Sequence, residues 1–207
     1  DTLYIQSKNI YKRYTNTIKT SANRLLYLVN ELLDLSKIES GNYELKLSEQ
    51  PVIPVVNKCF QFFLSDAAFS NKNYTFQTLR DDVTCWFDVD LIEKVVTNLI
   101  SNAFKYTKKG DSIIVSIDYR KVHEFFGSSA IKIVIEDTGI GIDKTEQQKI
   151  FNRYYSANSN KAFHSSGIGL ALVKELVDIH DGRIELNSEL GKGSMFIVTI
   201  PVNRNYY

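Results

Sequence analysis

The amino-acid sequence predicts an α+β fold: a two-layer α/β sandwich preceded by a long N-terminal helix. Three observations predict it. An apolar stripe of helical period runs from about Thr15 to Ile38 without Gly or Pro and stops at Ser40-Gly41. Beyond it, alternating strand patterns are mixed with amphipathic helices, without the strict βαβ rhythm of a parallel sheet. Hydrophobic residues make up 43% of the 207 and charged residues 24%, the balance of a chain with a buried core rather than a disordered one.

The same totals narrow the function classes. A formal net charge of +1 gives no basic field to attract nucleic acid. Cys59 and Cys85, the only cysteines, lack metal-site spacing and read as free thiols in a reducing compartment, a single disulfide being the alternative. No run approaches the roughly 20 apolar residues that span a bilayer, and no signal peptide is visible. The first residues read as a connecting segment, so any membrane span or sensor is expected outside these 207 residues.

In the first helix Ile18, Ala22, Leu25, Val29 and Leu32 recur at spacings of three and four, and Leu28 and Leu35 widen the stripe. So broad an apolar face predicts a bundle partner, a second copy of the chain, with packing onto its own domain as the alternative. Tyr43, Leu45 and Leu47 alternate with charged residues as a short strand would, and Pro51 and Pro54 punctuate the next segment. A domain boundary is expected between Gly41 and Gln50, dividing residues 1–45 from 46–207. A helix over Val55–Ser70 and strands over Tyr74–Thr78 and Thr84–Phe87 come next. The strongest helix spans Asp88–Thr107: Asp88 or Asp90 can cap it, and Asp90 with Glu93 has capping-box spacing. Strands Ser112–Arg120 and Ala130–Glu136 alternate, with Ile131, Ile133 and Ile135 on one face. A glycine-bearing loop, Asp137–Ile142, leads to a short helix around Thr145–Phe151. Ser156–Ser166, rich in Ser and Asn and without period, predicts a mobile loop. A helix over Gly169–His180 stops at Asp181-Gly182, and strands Arg183–Ser188 and Met195–Ile200 close the chain across Gly191-Lys192-Gly193.

Three stretches carry polar chemistry. Asn98, Asn102 and Lys105 fall on one stripe of a helix whose other faces are apolar; amide oxygens there suit a hard cation such as Mg²⁺, and the lysine suits phosphate. Alone, the stripe also reads as a solvated helix edge. In Asp137-Thr138-Gly139-Ile140-Gly141, a carboxylate at a strand end can accept a hydrogen bond from an exocyclic amine, and the glycines let backbone approach a flat ring. By itself this is as readily a turn. In Ser166-Gly167-Ile168-Gly169-Leu170, bare backbone N–H groups lead into a helix and favour phosphate, although neither a dinucleotide fingerprint nor a P-loop is present.

Taken together, in this order and setting, the stretches resemble the N, G1 and G2 boxes of the ATP-binding domain of sensor histidine kinases. Asn98-Leu99-Ile100-Ser101-Asn102-Ala103-Phe104-Lys105-Tyr106-Thr107 is similar to the N box, Asp137 to Ile142 to G1, and Ser166 to Lys174 to G2. Ile150-Phe151-Asn152-Arg153-Tyr154-Tyr155 resembles the F box, and Gly191-Lys192-Gly193-Ser194-Met195-Phe196 the closing hairpin. The likeness runs from about Ser21 to Pro201. It implies the histidine kinase ATPase fold, with ATP and Mg²⁺ as cofactors. Asn102 would ligate Mg²⁺ and Asn98 would lie close to metal and phosphates. Lys105 and Tyr106 would contact phosphate, and Asp137 would read the adenine amine beside Gly139 and Gly141. Gly167, Ile168, Gly169 and Leu170 would close over the phosphates, with Ser156–Ser166 as the lid and Arg153 at the terminal phosphate. One departure stands out: Ser165 occupies a place where the G2 box usually has glycine, which puts lid geometry in question.

The helix from Ser21 to Gly41 resembles the second helix of the family's dimerisation and phosphotransfer hairpin. The first helix, with its H-E-x-x-x-P-like phosphoacceptor motif, is absent. The histidines present, His123, His164 and His180, lie off any long dimerisation helix and read as structural or solvated. The resemblance implies transfer of the γ-phosphoryl of ATP to a histidine and then to an aspartate of a response regulator receiver domain. It also implies a homodimer through the N-terminal helix, and a cytoplasmic domain of a membrane-anchored sensor. Nucleotide binding without self-phosphorylation is expected of these residues. Two alternatives stand beside this reading. One is an ATP-hydrolysing relative of the gyrase and chaperone type (or a serine-directed anti-sigma kinase), although such hydrolases carry a glutamate where Asn98 stands and an amide cannot take a proton from water. The other is a non-catalytic dimerisation module with a vestigial pocket.

Overall fold

The structure, a computed structural model, describes residues 2–41, 43–78, 84–120, 129–155 and 167–201. They form two compact units, Asp1–Tyr43 and Glu44–Tyr207. The expected lid Ser156–Ser166, with His164 and Ser165, and the loop histidine His123 lie outside the described residues.

The first unit is a single helix, α1 (Thr2–Glu39), which starts at Thr2 rather than Thr15. Its first turns are too polar to show an apolar stripe, yet they contain no helix breaker. Its 38 residues correspond to about 57 Å of helix. It closes as expected: Gly41 adopts φ +67° and donates its N–H to Ile38 O at 3.0 Å. Ile18, Leu25, Val29 and Leu32 of the predicted stripe are all exposed on this helix, by 42–68%.

The second unit is the sandwich. Its elements are β1 (Ser48–Pro51), α2 (Val52–Phe62), α3 (Leu64–Ser70), β2 (Asn73–Thr78), β3 (Thr84–Phe87), α4 (Val89–Tyr106), β4 (Ser112–Arg120), β5 (Ala130–Asp137), α5 (Gly169–Ile179), β6 (Arg183–Glu189) and β7 (Gly193–Pro201). Five strands form one sheet in the order β2-β4-β5-β7-β6, with β2 and β4 parallel and the other pairs antiparallel. A separate ribbon pairs β1 with β3. Strand alternation builds the core: Val115, Ile135 and Phe196 lie side by side across β4, β5 and β7, as do Ile117, Ile133 and Val198, and all are buried. Helix α4 lies between α2 and α5 and packs on β4 and β5, and its Leu91, Ile92, Val95, Val96, Leu99 and Ile100 are almost wholly inaccessible. Asp137 falls on the same side of β5 as Ile131, Ile133 and Ile135, so the helix-facing row of that strand ends in a carboxylate.

Three expected elements differ. Tyr43–Leu47 is not a strand; the N–H of Lys46 goes to Asp88 Oδ2 at 2.9 Å, a side chain instead of a neighbouring strand. The helix placed at Val55–Ser70 begins at Val52, because Pro54 sits in the first turn, where a missing N–H costs no ladder bond. It also breaks at Phe63, whose ring stacks on Phe104 of α4 at 5.3 Å. Around Thr145–Phe151 there are successive turns rather than a helix. Asp143 Oδ1 takes the N–H and the hydroxyl of Thr145, a local bond that competes with helical pairing.

Cys59 and Cys85 are both buried, and neither forms a disulfide. His180 is structural: buried at the end of α5, it has Nδ1 2.7 Å from Leu176 O and takes the N–H of Asp88 on Nε2 at 3.2 Å. Those partners require the Nδ1–H tautomer. Among the described residues, no helix is long and apolar enough to cross a membrane.

Candidate functional site

Helix α4 positions the first cluster. Asp88 caps it, accepting from the N–H of Leu91 at 3.2 Å, while Asp90 lies in its first turn. Asn98 is 8% exposed and donates Nδ2 to Lys94 O at 3.2 Å, one turn back. A carbonyl can only take the NH₂ end, so this bond fixes the amide and turns Oδ1 away from the helix backbone. One turn further along the same face, Asn102 is half-buried. Lys105 ends the row with Nζ 5.2 Å from the centroid of the Tyr106 ring. No group of three or more His, Cys, Asp or Glu side chains among the described residues could hold a metal ion. The donor set available on this helix, neutral amide oxygens, fits a hard divalent ion that takes its remaining ligands from water and phosphate.

The loop after β5 meets the end of this helix. Ile140 donates its N–H to Tyr106 O at 3.2 Å. Gly139 lies so close that a Cβ would overlap Tyr106 O and stand 2.8 Å from Asp137 Oδ1. The glycine therefore has a packing reason, the direct apposition of the two stretches. Asp137 is 7% exposed, with Oδ1 accepting the N–H of Gly139 at 2.8 Å. Burial holds its carboxyl above the usual carboxylate range; the Gly139 and Ser194 N–H groups pull the other way without cancelling it.

A second set of contacts seats this loop on the β6–β7 hairpin. Gly141 has φ +66°, and its α-carbon packs against the carbonyl of Glu189. Gly191 donates to Ile140 O at 2.7 Å, and Gly193 packs on Asp137 O. Ser188 Oγ accepts the N–H of Ile142 at 2.8 Å, lies 2.8 Å from Gly193 O as a donor, and lies 3.0 Å from Ser194 Oγ. Gln147 Nε2 donates to both Ile142 O at 3.0 Å and Ser188 O at 2.9 Å. Gln147, Ser188 and Ser194 carry no role in the sequence reading. The available signal is the placement of the two serines on either side of the hairpin turn, where they face each other in register.

At the third stretch, Gly167 has φ +67°, and a Cβ there would lie 2.5 Å from Tyr154 C. Tyr154 donates its N–H to Gly167 O at 2.9 Å, so the start of the third stretch is seated on Tyr154. Ile168 is the N-cap of α5 and is buried; its side chain offers no acceptor to the first-turn N–H groups, the arrangement that anion-binding helix N-termini use. Gly169 and Leu170 open α5, both half-buried, and α5 packs along α4. Arg153 lies 3.8 Å from Glu175 of α5, both side chains partly exposed. The geometry thus joins Tyr106 to Gly139 and Ile140 directly, and Gly167 to Tyr154, while helix packing relates Asn98, Asn102 and Lys105 to α5.

Residues 87–204 match the family described as histidine kinase-, DNA gyrase B- and HSP90-like ATPases. The chain is similar to histidine kinase P4 of Formosa agariphila, with 34% identity over 211 residues, 98% of this chain and 15% of that protein. It is similar also to the sensor protein SrrB of Staphylococcus aureus, with 32% identity over 183 residues, 87% of this chain and 30% of that protein. It therefore spans a minor part of the length of either relative. Among solved structures, the histidine kinase ThkA in complex with the response regulator protein TrrA shares the fold, with a TM-score of 0.70, 22% identity and coverage of 93% of this chain and 51% of that one. By the extent of these matches, the chain belongs to the histidine kinase-, DNA gyrase B- and HSP90-like ATPase family, and within it to the sensor histidine kinases.

Proposed function

We propose that residues 46–207 bind ATP with Mg²⁺ and, in the protein they serve, transfer its γ-phosphoryl group to an imidazole nitrogen of a histidine. A response regulator aspartate would then receive the group; ThkA, a neighbour in fold, was solved with such a regulator. The observation that carries the proposal is the apposition of Asp137 and the end of α4. A buried carboxylate with more burial cost than N–H support, fixed beside the helix that carries Asn98, Asn102 and Lys105, suits an adenine amine.

The roles follow from the chemistry of each group. Asp137 accepts from the adenine amine while Gly139 and Gly141 hold the loop beneath it. Asn102 supplies an amide oxygen to Mg²⁺ and Asn98, whose amide is already oriented by Lys94 O, supports metal and phosphate. Lys105 and Tyr106 face phosphate, and the segment Gly167, Ile168, Gly169 and Leu170 offers backbone N–H groups to it. Arg153 reaches the terminal phosphate by leaving Glu175. Bound Mg²⁺ neutralises phosphate charge in the transfer, and the protein contributes position and electrostatics. Residues 1–45 act as one helix of a dimerisation hairpin, their exposed apolar row meeting a second copy in the full protein, and the whole forms the cytoplasmic part of a membrane-anchored sensor.

The test is titration calorimetry of the purified chain with a non-hydrolysable ATP analogue, with and without Mg²⁺. Binding is expected, and Asn102→Ala should remove most of the Mg²⁺ enhancement while leaving a weaker metal-free component. Because no acidic cluster among the described residues holds a metal alone, Mg²⁺ without nucleotide should give no heat. No heat from wild type in any condition would sink the proposal. Incubation with ATP should leave no phosphohistidine on this chain, since none of its three histidines lies on α1.

A further inference from the structure

We infer that Gln147 and Ser188 are positioning residues that set base selectivity, holding the Asp137 loop in the one attitude that favours adenine over guanine. The inference rests on the proposed adenine-reading role of Asp137 and extends it to residues that would not touch the nucleotide.

The loop from Asp137 to Ile142 is tied down along its length. Thr138 exchanges bonds with Ser112 of β4, Gly139 bonds to Asp137, and Ile140 bonds to Tyr106 and Gly191. Its far end, Ile142, is held among the described residues by two side chains. Ser188 Oγ takes the Ile142 N–H, and Gln147 Nε2 links Ile142 O to Ser188 O. The result is a closed ring of three residues separated by 5 and 41 positions in the chain.

Every donor on the two side chains is used. The Gln147 amide directs its two N–H groups to two carbonyls. The Ser188 hydroxyl gives its one proton to Gly193 O and accepts from Ile142 N–H and Ser194 Oγ. Through Gly193 and Ser194 the same hydroxyl reaches the other end of the loop, because Gly193 packs on Asp137 O and the Ser194 N–H favours the ionised Asp137. One hydroxyl therefore fixes both ends of the segment that aims the carboxylate.

Aim matters for selectivity. Adenine offers an amine where guanine offers a carbonyl oxygen, and a fixed carboxylate attracts the first and repels the second. A loop able to swing could turn the carboxylate aside and admit guanine, so loosening the ring should narrow discrimination more than it weakens adenine binding.

The experiment compares adenylyl and guanylyl imidodiphosphate, each with Mg²⁺, by calorimetry on wild type, Ser188→Ala, Gln147→Glu and Ser188→Thr, with thermal unfolding of each. Gln147→Glu keeps the shape but sets a carboxylate against two carbonyls. Ser188→Ala and Gln147→Glu should each reduce the adenine preference by about ten-fold, and Ser188→Thr, which restores the hydroxyl on a strand that accepts β-branched residues, should recover it. Should Ser188→Ala fail to fold, Gln147→Glu and Ser188→Thr carry the comparison. Folded Ser188→Ala or Gln147→Glu with wild-type preference would overturn this inference and leave the proposed function standing. Wild type that binds neither nucleotide, or both equally, would overturn both.

Discussion

Asp137→Asn should separate binding from stability, because the proposed role makes the carboxylate favourable in binding while burial makes it costly in the folded chain. Asn keeps the shape and one acceptor oxygen. If that oxygen stays on the Gly139 N–H, at 2.8 Å in the wild type, the new NH₂ faces the adenine amine; if it turns to the adenine, the NH₂ faces Gly139. Either orientation sets donor against donor. The loss is one charge-assisted hydrogen bond, about 1.5–3 kcal/mol, or roughly 10–150-fold in the Kd for an ATP analogue. Stability should behave differently. Burial raises the folded-state pKa of Asp137 above its unfolded value, so the folded chain holds the proton more tightly. The penalty is absent below the unfolded pKa and complete once pH has risen above the folded one. The Asn variant never carries it. Its stability relative to wild type should therefore improve as pH rises from the acid end of the carboxylate range to neutrality, and at pH 7 the two should agree within about 1 kcal/mol. Calorimetry with the analogue and denaturant melts at several pH values would check both parts. A folded Asp137→Asn variant that binds within about three-fold (about 0.7 kcal/mol) of wild type would refute the assignment of Asp137 to the base.

Three further outcomes follow from local geometry. Gly141→Ala should cost more than about 2 kcal/mol, since positive φ and overlap with the Glu189 carbonyl act together, whereas Gly110→Ala, at φ +88° with nothing within 4 Å, should cost only the backbone term of about 1 kcal/mol; thermal melts of the pair separate strain from clash. Tyr74→Phe should raise stability by about 1 kcal/mol in urea titrations, because the Tyr74 hydroxyl is buried without a hydrogen-bond partner while its ring stacks on Phe60 at 4.1 Å. Asp88→Ala should lower it by about 2 kcal/mol or more, removing the cap of α4 and stranding the Lys46 N–H, with the denaturant midpoint as the readout.

How much of the molecule is legible in the sequence depends on whether a pattern is local. The extent of α4 and its Asp88 cap are legible because capping and periodicity act over a few residues. The β4, β5 and β7 alternation is legible because one face of each strand is buried. The break at Phe63 is not, since it depends on a ring in α4 forty-one positions away that no window includes. Nor is the fate of Lys46, whose bond to Asp88 replaces a strand ladder. The G1 stretch can be found from its own residues, but the Gln147–Ser188 ring cannot: a glutamine in a turn and a serine in a strand are ordinary until the hairpin folds back over Ile142.

Two buried aspartates show why burial alone does not mark a site. Asp88, 2% exposed, gives one oxygen to Leu91 N–H and the other to Lys46 N–H, and its neighbour His180 occupies the space beside its backbone. Both oxygens are engaged inside the fold, holding α4 to the segment before β1. Asp137, 7% exposed, accepts the Gly139 N–H on Oδ1 and is supported by the Ser194 N–H, yet burial outweighs both and holds its carboxyl above the usual range. A carboxylate kept in that condition costs the folded chain stability that an uncharged residue would not. The fold nevertheless devotes three glycines, at 139, 141 and 193, and a side-chain ring to holding it in place. Packing accounts for the glycines but not for the charge they surround, and that charge is intelligible if a further donor arrives with a ligand.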